Sequence, residues 1–245
     1  LTTVRLASDV LHEARGSFEP ATARSAELLQ HELDRFEGLL TDLLEISRFD
    51  AGAAVLELAD VDLREVAVRV VDAARALAER RGTVLTVTVP ETPCVVEADV
   101  RRVERIVRNL VVNAIDHGAG NDVAVVVGVD DAAVALTVQD HGIGLQPGEE
   151  SLVFNRFWRA DPARARTRGG TGLGLSIAVE DTTLHAGMLD AWGEPAFGSV
   201  FRLTLPRRSG DPVIASPLPL IPEERQPVAV GAPYARHPRS ERRRP

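Results

Sequence analysis

Two asparagines, Asn109 and Asn113, stand four residues apart in a stretch rich in Val, Leu and Ile. This spacing places both amides on one face of a helix. Amides in apolar surroundings are costly unless something satisfies them. One partner is a hard cation, because amide oxygens bind Mg²⁺ alongside phosphates and water. The other is a neighbouring backbone group that the amides would cap.

A second group, Asp140-His141-Gly142-Ile143-Gly144, follows an alternating strand pattern. A carboxylate at a strand end can accept a hydrogen bond from an exocyclic amine. The two glycines let a ligand approach the backbone closely. An ordinary strand-ending turn is the alternative, because Asp and Gly are also the residues that such turns favour.

A third group is the glycine-rich segment Gly169-Gly170-Thr171-Gly172-Leu173-Gly174-Leu175, which leads into a helical pattern. Backbone N–H groups at such a helix start suit phosphate oxygens. The segment is not a Lys-containing phosphate loop, since the chain has no Lys. A flexible glycine hinge is the alternative.

Between these groups lie three apolar anchors, Phe154, Phe157 and Trp158, and then a loop from Asp161 to Arg168 rich in Arg, Ala and Gly. This profile is typical of a mobile lid over a ligand. The cations available to phosphates are Arg159, Arg164, Arg166 and Arg168. A solvated charged loop is the alternative for at least two of them.

Composition limits what kind of protein carries these groups. The 245 residues are 44% apolar and 26% charged, which is typical of a soluble globular chain of one large or two modest domains. Cys94 is the one cysteine, so disulfides and thiolate metal sites are excluded. The acidic residues outnumber the basic ones by 8, and aromatics are only 4%. Both features disfavour nucleic acid as a partner.

Two helices are predicted at the start, over residues 1–14 and 21–48. The first begins without a cap, so we expect it to continue from an earlier part of a longer protein. The second carries a heptad seam formed by Leu29, Leu33, Phe36, Leu40 and Leu43. A two-helix hairpin cannot bury that seam by itself, which predicts a four-helix bundle made by two chains.

A mixed α and β pattern comes next along the chain. Asp62 and Asp99 are predicted to cap helices. Strands are predicted over 84–89, 94–96, 122–129, 133–139 and 198–205, and a further helix over 172–186. The predicted organisation is a hairpin over 1–50, a linker over 51–60, a mixed domain over 61–206 and a tail over 207–245. Nine of the fifteen Pro lie in 206–245, so the tail is predicted to be disordered.

The order and spacing of the motifs resemble the N, G1, F and G2 boxes of histidine kinase ATP-binding domains. The hairpin resembles the dimerisation domain that precedes them, and the resemblance covers about residues 1–206. It implies an α+β fold: a two-helix hairpin, half of a dimeric four-helix bundle, followed by an α/β sandwich ATP-binding domain. It also implies the cytoplasmic region of a sensor histidine kinase.

The same resemblance assigns roles to residues. Asn113 would ligate Mg²⁺ with support from Asn109, Asp140 would read the adenine amino group, and Arg159 would reach the γ-phosphate. His117 stands where the family has an aromatic ring, and Asp116 replaces a usual Lys. The implied ATP-binding residues are Asn109, Asn113, Asp116, His117, Asp140, Gly142, Gly144, Arg159, Gly170, Thr171, Gly172, Leu173 and Gly174, with Asn113 and Arg159 also catalytic.

The family's phosphoaccepting His lies in a His-Glu-x-Arg-Thr-Pro box, which this chain lacks. The first five residues resemble the family's segment immediately after that box, so we expect the acceptor to lie outside the chain. His12-Glu13-Ala14-Arg15 fits the first four positions of the pattern, but Gly16 and Ser17 replace Thr-Pro, and His12 is predicted beside the helix bend. His31 is predicted to be a surface residue. The expected outcome is ATP binding without self-phosphorylation.

The resemblance further implies a homodimer, a cognate response regulator as partner, and a full-length protein embedded in the membrane with this part on its cytoplasmic face. Two other functions remain open. Related ATPases place a water-activating Glu on the Asn helix, whereas Glu104 precedes Asn113 by nine residues. A dimeric docking module that binds nucleotide without turnover is the second alternative.

Overall fold

The computed structural model describes residues 2–159 and 171–226. The first region is a hairpin of α1 (Thr2–Glu13) and α2 (Pro20–Asp50), joined through a short 3₁₀ turn over Ala14–Ser17. Pro20 starts α2, where its missing N–H costs nothing. A hydrogen bond from Ser8 Oγ to Gln30 Oε1, 2.6 Å long, ties the two helices together.

The second region is a two-layer α/β domain. Its elements are β1 (Ala59–Asp62), α3 (Leu63–Arg81), β2 (Leu85–Thr88), β3 (Val95–Ala98), α4 (Val100–His117), β4 (Val123–Val129), β5 (Ala133–Asp140), α5 (Glu149–Leu152), α6 (Gly174–Leu184), β6 (Met188–Glu194) and β7 (Gly198–Pro206). Five strands form one sheet in the order β2-β4-β5-β7-β6, in which only the β2–β4 pair is parallel. The core lies between this sheet and helices α3 and α4.

Local chemistry explains where the two core helices begin. Asp62 accepts a hydrogen bond from Arg64 N at 3.0 Å, and Asp99 accepts one from Arg101 N at 3.1 Å. Both predicted caps are therefore confirmed, since each satisfies an N–H that the first helical turn leaves unpaired. The β4–β5 turn is fixed in the same way, because Asp130 Oδ1 accepts from Ala132 N and Ala133 N.

The predicted α+β fold class is confirmed, with strands β1 and β6 added to those predicted. Residues 207–226 depart from the expected disorder, because part of this segment is attached to the outer face of the sheet: Arg202 Nη1 donates to Leu218 O at 2.8 Å, and Thr204 Oγ1 donates to Ser216 Oγ at 2.9 Å. Residues 227–245 lie outside the described part. Within the described residues, no helix combines the length and the apolar character needed to cross a membrane.

The hairpin contacts the α/β domain near the C-terminal end of α2. Ile46 packs with Leu173 and Ile177 in a small apolar cluster of their own. Beside it, the fully buried Asp181 of α6 forms ion pairs with Arg102 and Arg105 of α4, at 2.8 and 2.7 Å. Glu45 of α2 reaches the same arginines, at 3.7 and 3.2 Å. This junction holds the two regions together beside the glycine-rich segment.

Candidate functional site

Asp140 ends β5 and is 2% exposed. Its Oδ1 accepts a hydrogen bond from Gly142 N at 2.8 Å, and its Oδ2 accepts one from the Ser199 hydroxyl. Burial raises the pKa of the Asp140 carboxyl above its ordinary value, and the hydrogen bonds from Ser199 and Gly142 oppose that rise. A carboxylate has about four acceptor positions. Asp140 can therefore still accept a hydrogen bond from a ligand amine.

The loop after Asp140 is clamped between two backbone segments. A Cβ at Gly142 would lie 2.0 Å from His117 O, and a Cβ at Gly144 would lie 1.9 Å from Glu194 O. Gly144 also has a positive φ of 71°. Both positions require glycine for this packing, so at these two sites protein backbone, rather than a ligand, makes the close approach.

The two asparagines of α4 are placed differently from each other. Asn109 Nδ2 donates to Gly174 O at 2.8 Å, which joins α4 to the start of α6. The backbone partner expected as one alternative is therefore present for Asn109. The half-buried Asn113 side chain, by contrast, makes no hydrogen bond within the described residues. Its amide oxygen can serve a cation.

The metal chemistry of the described residues is limited. No group of three or more His, Cys, Asp or Glu side chains in residues 2–159 and 171–226 is arranged to hold a metal ion. A cation here would need amide and phosphate oxygens, which are ligands that Mg²⁺ accepts. The donor type of Asn113 fits that need.

The end of α4 reaches the Asp140 loop through its backbone, because His117 O accepts a hydrogen bond from Ile143 N at 3.4 Å. The exposed His117 ring acts electrostatically on Asp140 and opposes the rise of its pKa. Asp116 is turned toward α3, where it forms an ion pair with Arg81 at 3.1 Å. The acidic residue at this position is thus compensated by an arginine from the neighbouring helix.

The aromatic segment and the glycine-rich segment meet. Phe157 N donates to Gly172 O at 2.8 Å, and a Cβ at Gly172 would lie 3.0 Å from Phe157 Cα. Phe154 anchors the aromatic segment in the core by an edge-on contact with Phe201, with ring centroids 6.2 Å apart. Arg159, half-buried, comes directly after this segment. Gly170, Arg164, Arg166 and Arg168 lie outside the described residues.

Within the glycine-rich segment, the side chains face the protein. Thr171 Oγ1 accepts from Leu173 N at 3.1 Å and donates to Asp42 of α2 at 3.4 Å. The Leu173 side chain is fully buried against Ile46 and Ile177. Leu173 N is thus satisfied by Thr171, and a phosphate would meet the other N–H groups of residues 171–174.

Ser199 was not predicted as a site residue. It pairs with Asp140 in the register of β5 and β7, which brings its hydroxyl to the carboxylate. The Gly-Ser pair that begins the last strand was the available signal, but the strand order had to be known to use it. Glu104, considered as a water-activating base, instead forms an ion pair with Arg69 of α3 at 2.8 Å.

The chain is similar to histidine kinases and related ATPases. Residues 98–209 match the family described as histidine kinase-, DNA gyrase B-, and HSP90-like ATPase. The sensor histidine kinase MtrB of Mycolicibacterium paratuberculosis is 54% identical over 222 residues, covering 91% of this chain and 39% of that protein. The chain thus spans about two fifths of the length of the MtrB relatives that it matches.

Two solved structures extend the comparison. Full-length ShkA in complex with AMPPNP superposes with a TM-score of 0.70 at 25% identity, covering 89% of this chain and 45% of that one. The mycobacterial sensor histidine kinase MprB superposes with a TM-score of 0.52 at 33% identity, covering 62% of this chain and 99% of that one. The ShkA likeness covers most of the chain, and the MprB likeness covers about three fifths of it.

Proposed function

The chain belongs to the sensor histidine kinases, and from that membership we propose that it binds Mg-ATP at the Asp140 loop and presents the γ-phosphoryl to a histidine of a dimerisation domain. The observation that carries the proposal is the buried Asp140 carboxylate, oriented by Gly142 N and the Ser199 hydroxyl. A buried carboxylate costs stability. Recognition of a ligand explains why one is kept at this strand end.

In this proposal Asp140 accepts a hydrogen bond from the adenine amino group. Gly142 N and Ser199 hold the carboxylate in place before the nucleotide arrives, so little ordering is left to be done on binding. Gly142 and Gly144 allow the loop to pack against α4 and the β6–β7 turn. His117, at the end of α4, lies next to this loop.

The triphosphate of ATP is proposed to be bound by Asn113, Arg159 and the backbone of residues 171–174. Asn113 would hold Mg²⁺, which when bound neutralises phosphate charge. Arg159 would contact the γ-phosphate, and N–H groups before α6 would bind the phosphate oxygens. Asn109 positions this backbone through Gly174 O. Phosphoryl transfer depends mainly on positioning and charge stabilisation, so the proposal requires no covalent catalytic side chain.

The acceptor histidine is proposed to come from outside these residues. His12 lies in the last turn of α1, while the contacts of α2 with the α/β domain, such as Asp42 with Thr171, lie in the C-terminal part of α2. From Pro20 to Asp42, α2 runs for about 33 Å at 1.5 Å per residue. His12 is thus far from the site along the hairpin, and we expect ATP binding without self-phosphorylation.

From family membership we further propose two partners, a second copy through the hairpin and a response regulator as the final phosphoryl acceptor, at the cytoplasmic face of the membrane. The rival hydrolytic ATPase is disfavoured because Glu104, the carboxylate considered for water activation, lies nine residues before Asn113 and pairs with Arg69 of α3. The rival docking module predicts nucleotide binding without transfer. A phosphorylation assay distinguishes it from a kinase.

The proposal is tested by calorimetric titration of the chain with Mg-ATP. Asp140→Asn should lower the affinity by about 10- to 100-fold, because a hydrogen bond to a charged group contributes about 1.5–3 kcal/mol. The exposed Asp131, at the opposite end of β5, provides the matched control Asp131→Asn, which should bind as the unmodified chain does. Unchanged affinity in Asp140→Asn would refute the adenine site.

Transfer is tested with a supplied dimerisation domain that carries the acceptor His, using labelled ATP. Label should appear on that domain and not on the chain itself. Asn113→Ala should lose most of the Mg²⁺-dependent transfer. Stable label on the chain, lost on His12→Ala, would overturn the rejection of His12, and steady ATP hydrolysis without transfer would favour a hydrolytic ATPase.

A further inference from the structure

Residues 211–226, here called the strap, run back across the outer face of the sheet after β7 ends. Two strand side chains of β7 hold the strap: Arg202 Nη1 donates to Leu218 O at 2.8 Å, and Thr204 Oγ1 donates to Ser216 Oγ at 2.9 Å. Arg202 is itself fixed by an ion pair with Asp190 of β6 at 2.8 Å. The strap is therefore attached at defined points.

The sheet carries a row of small side chains beneath the strap. Gly128, Ala135 and Thr204 are neighbours in the register across β4, β5 and β7. A Cβ at Gly128 would lie 2.6 Å from Leu218 Cδ2. Ala135 and Thr204 are almost fully buried, although they lie on the face opposite the helices. The strap thus fills a shallow trough that this row creates.

The far end of the strap reaches the turn between β6 and β7. The guanidinium of Arg225 lies 4.3 Å from the centre of the Phe197 ring and 3.3 Å from a carboxylate oxygen of Glu194. Both partners belong to the turn over residues 194–198. A cation over an aromatic face is attractive, and the ion pair fixes its position.

The turn over residues 194–198 also contacts the Asp140 loop. Phe197 packs edge-on against the His141 ring, with centroids 6.3 Å apart, and Ala196 N donates to Ile143 O at 3.0 Å. A Cβ at Gly198 would lie 2.0 Å from Asp140 O, so the two segments are in direct backbone contact. The turn and the Asp140 loop are therefore joined by ring, hydrogen-bond and backbone contacts.

We propose that Arg225 is a positioning residue for nucleotide recognition, which acts through Phe197 to hold the Asp140 loop in its binding geometry. The inference rests on the proposed function, because it assumes that Asp140 reads the adenine. In this proposal the strap affects ATP affinity but not the transfer step, because Arg225 contacts the turn over residues 194–198, which adjoins the proposed adenine site. Leu218, which seats the strap in its trough, contributes to the same effect.

The test compares variants in the transfer assay with the supplied dimerisation domain. Arg225→Ala should raise the KM for ATP about three-fold, the size expected for one cation–aromatic contact, and leave kcat unchanged. Arg225→Lys, which keeps the cation, should restore most of the affinity. Leu218→Ala should raise KM in the same direction. Arg208→Ala, at an exposed arginine just before the strap, is the matched control and should behave as the unmodified chain.

The outcomes separate the two proposals. An unchanged KM in Arg225→Ala, beside a lost affinity in Asp140→Asn, would overturn the strap inference and leave the proposed function standing. A fall in kcat with an unchanged KM, or a loss that Lys fails to restore, would also overturn it. Failure of the unmodified chain to bind ATP would remove both.

Discussion

The hairpin and the α/β domain carry similar apolar patterns but cover them differently. Val103, Ile106 and Leu110 on α4 are completely buried by the domain's own sheet and helices. On α2, Phe36 and Leu40 are 49% and 37% exposed although their heptad spacing is equally regular. The spacing of apolar residues thus indicates that one face of a helix will be buried. The elements that pack beside the helix determine whether its own chain buries that face.

The hairpin and the α/β domain should differ most in the stability that is lost when one leucine in each is replaced by alanine. Leu110→Ala should lower the free energy of unfolding by about 2–5 kcal/mol, because it removes packed methyl groups and leaves a cavity. Leu40→Ala should change the stability of the isolated chain by no more than about 0.5 kcal/mol. Urea denaturation measures both values. Equal losses at a concentration where the chain is monomeric would show that the α2 seam is already buried within one chain.

A second prediction concerns what covers the α2 seam. Phe36→Asp should weaken self-association by at least about ten-fold, or about 1.4 kcal/mol, since it places a charge in the predicted four-helix interface. Sedimentation over a concentration series measures the effect. Val68→Asp alters a similarly exposed apolar residue on α3 and should leave association unchanged. Equal association in all three chains would contradict dimerisation through this face.

The smallest effect should be a pH dependence confined to the α/β domain. Burial raises the pKa of Asp140 in the folded chain. The protonated carboxyl therefore contributes to the stability of the fold. That contribution is fully present below the unfolded-state pKa of about 3.9 and is lost as pH rises through the folded-state pKa. The melting temperature should therefore fall with rising pH more in the unmodified chain than in Asp140→Asn. The prediction is contradicted if the melting temperatures of the unmodified chain and of Asp140→Asn change equally with pH. Asp131→Asn serves as the control and should behave as the unmodified chain.

The features predicted from the sequence are those with a local cause. Asp62 and Asp99 satisfy N–H groups two residues away, and the Asp130 turn is closed by its own side chain. The chemical groups of the site were recognisable because each occupies a short stretch. Their convergence was inferred only from a resemblance, since no local rule fixes the distance between α4 and the Asp140 loop.

The features that escaped prediction depend on contacts between distant residues. Ser199 and Asp140 are separated by 59 residues and meet only through the β5–β7 register. The strap was predicted to be disordered because Pro-rich composition signals a lack of core. It is held instead by side chains of Arg202 and Thr204 and by a trough of small residues, which composition does not encode.

Leu173 and Gly174 are adjacent in the chain but belong to different neighbourhoods. The Leu173 side chain is buried against Ile46 of the hairpin, while Gly174 O is bound by Asn109 of α4. Consecutive Cα atoms are only about 3.8 Å apart, and the peptide between them is planar. A shift of α2 at Ile46 is therefore expected to reach the carbonyl bound by Asn109 within two peptide units.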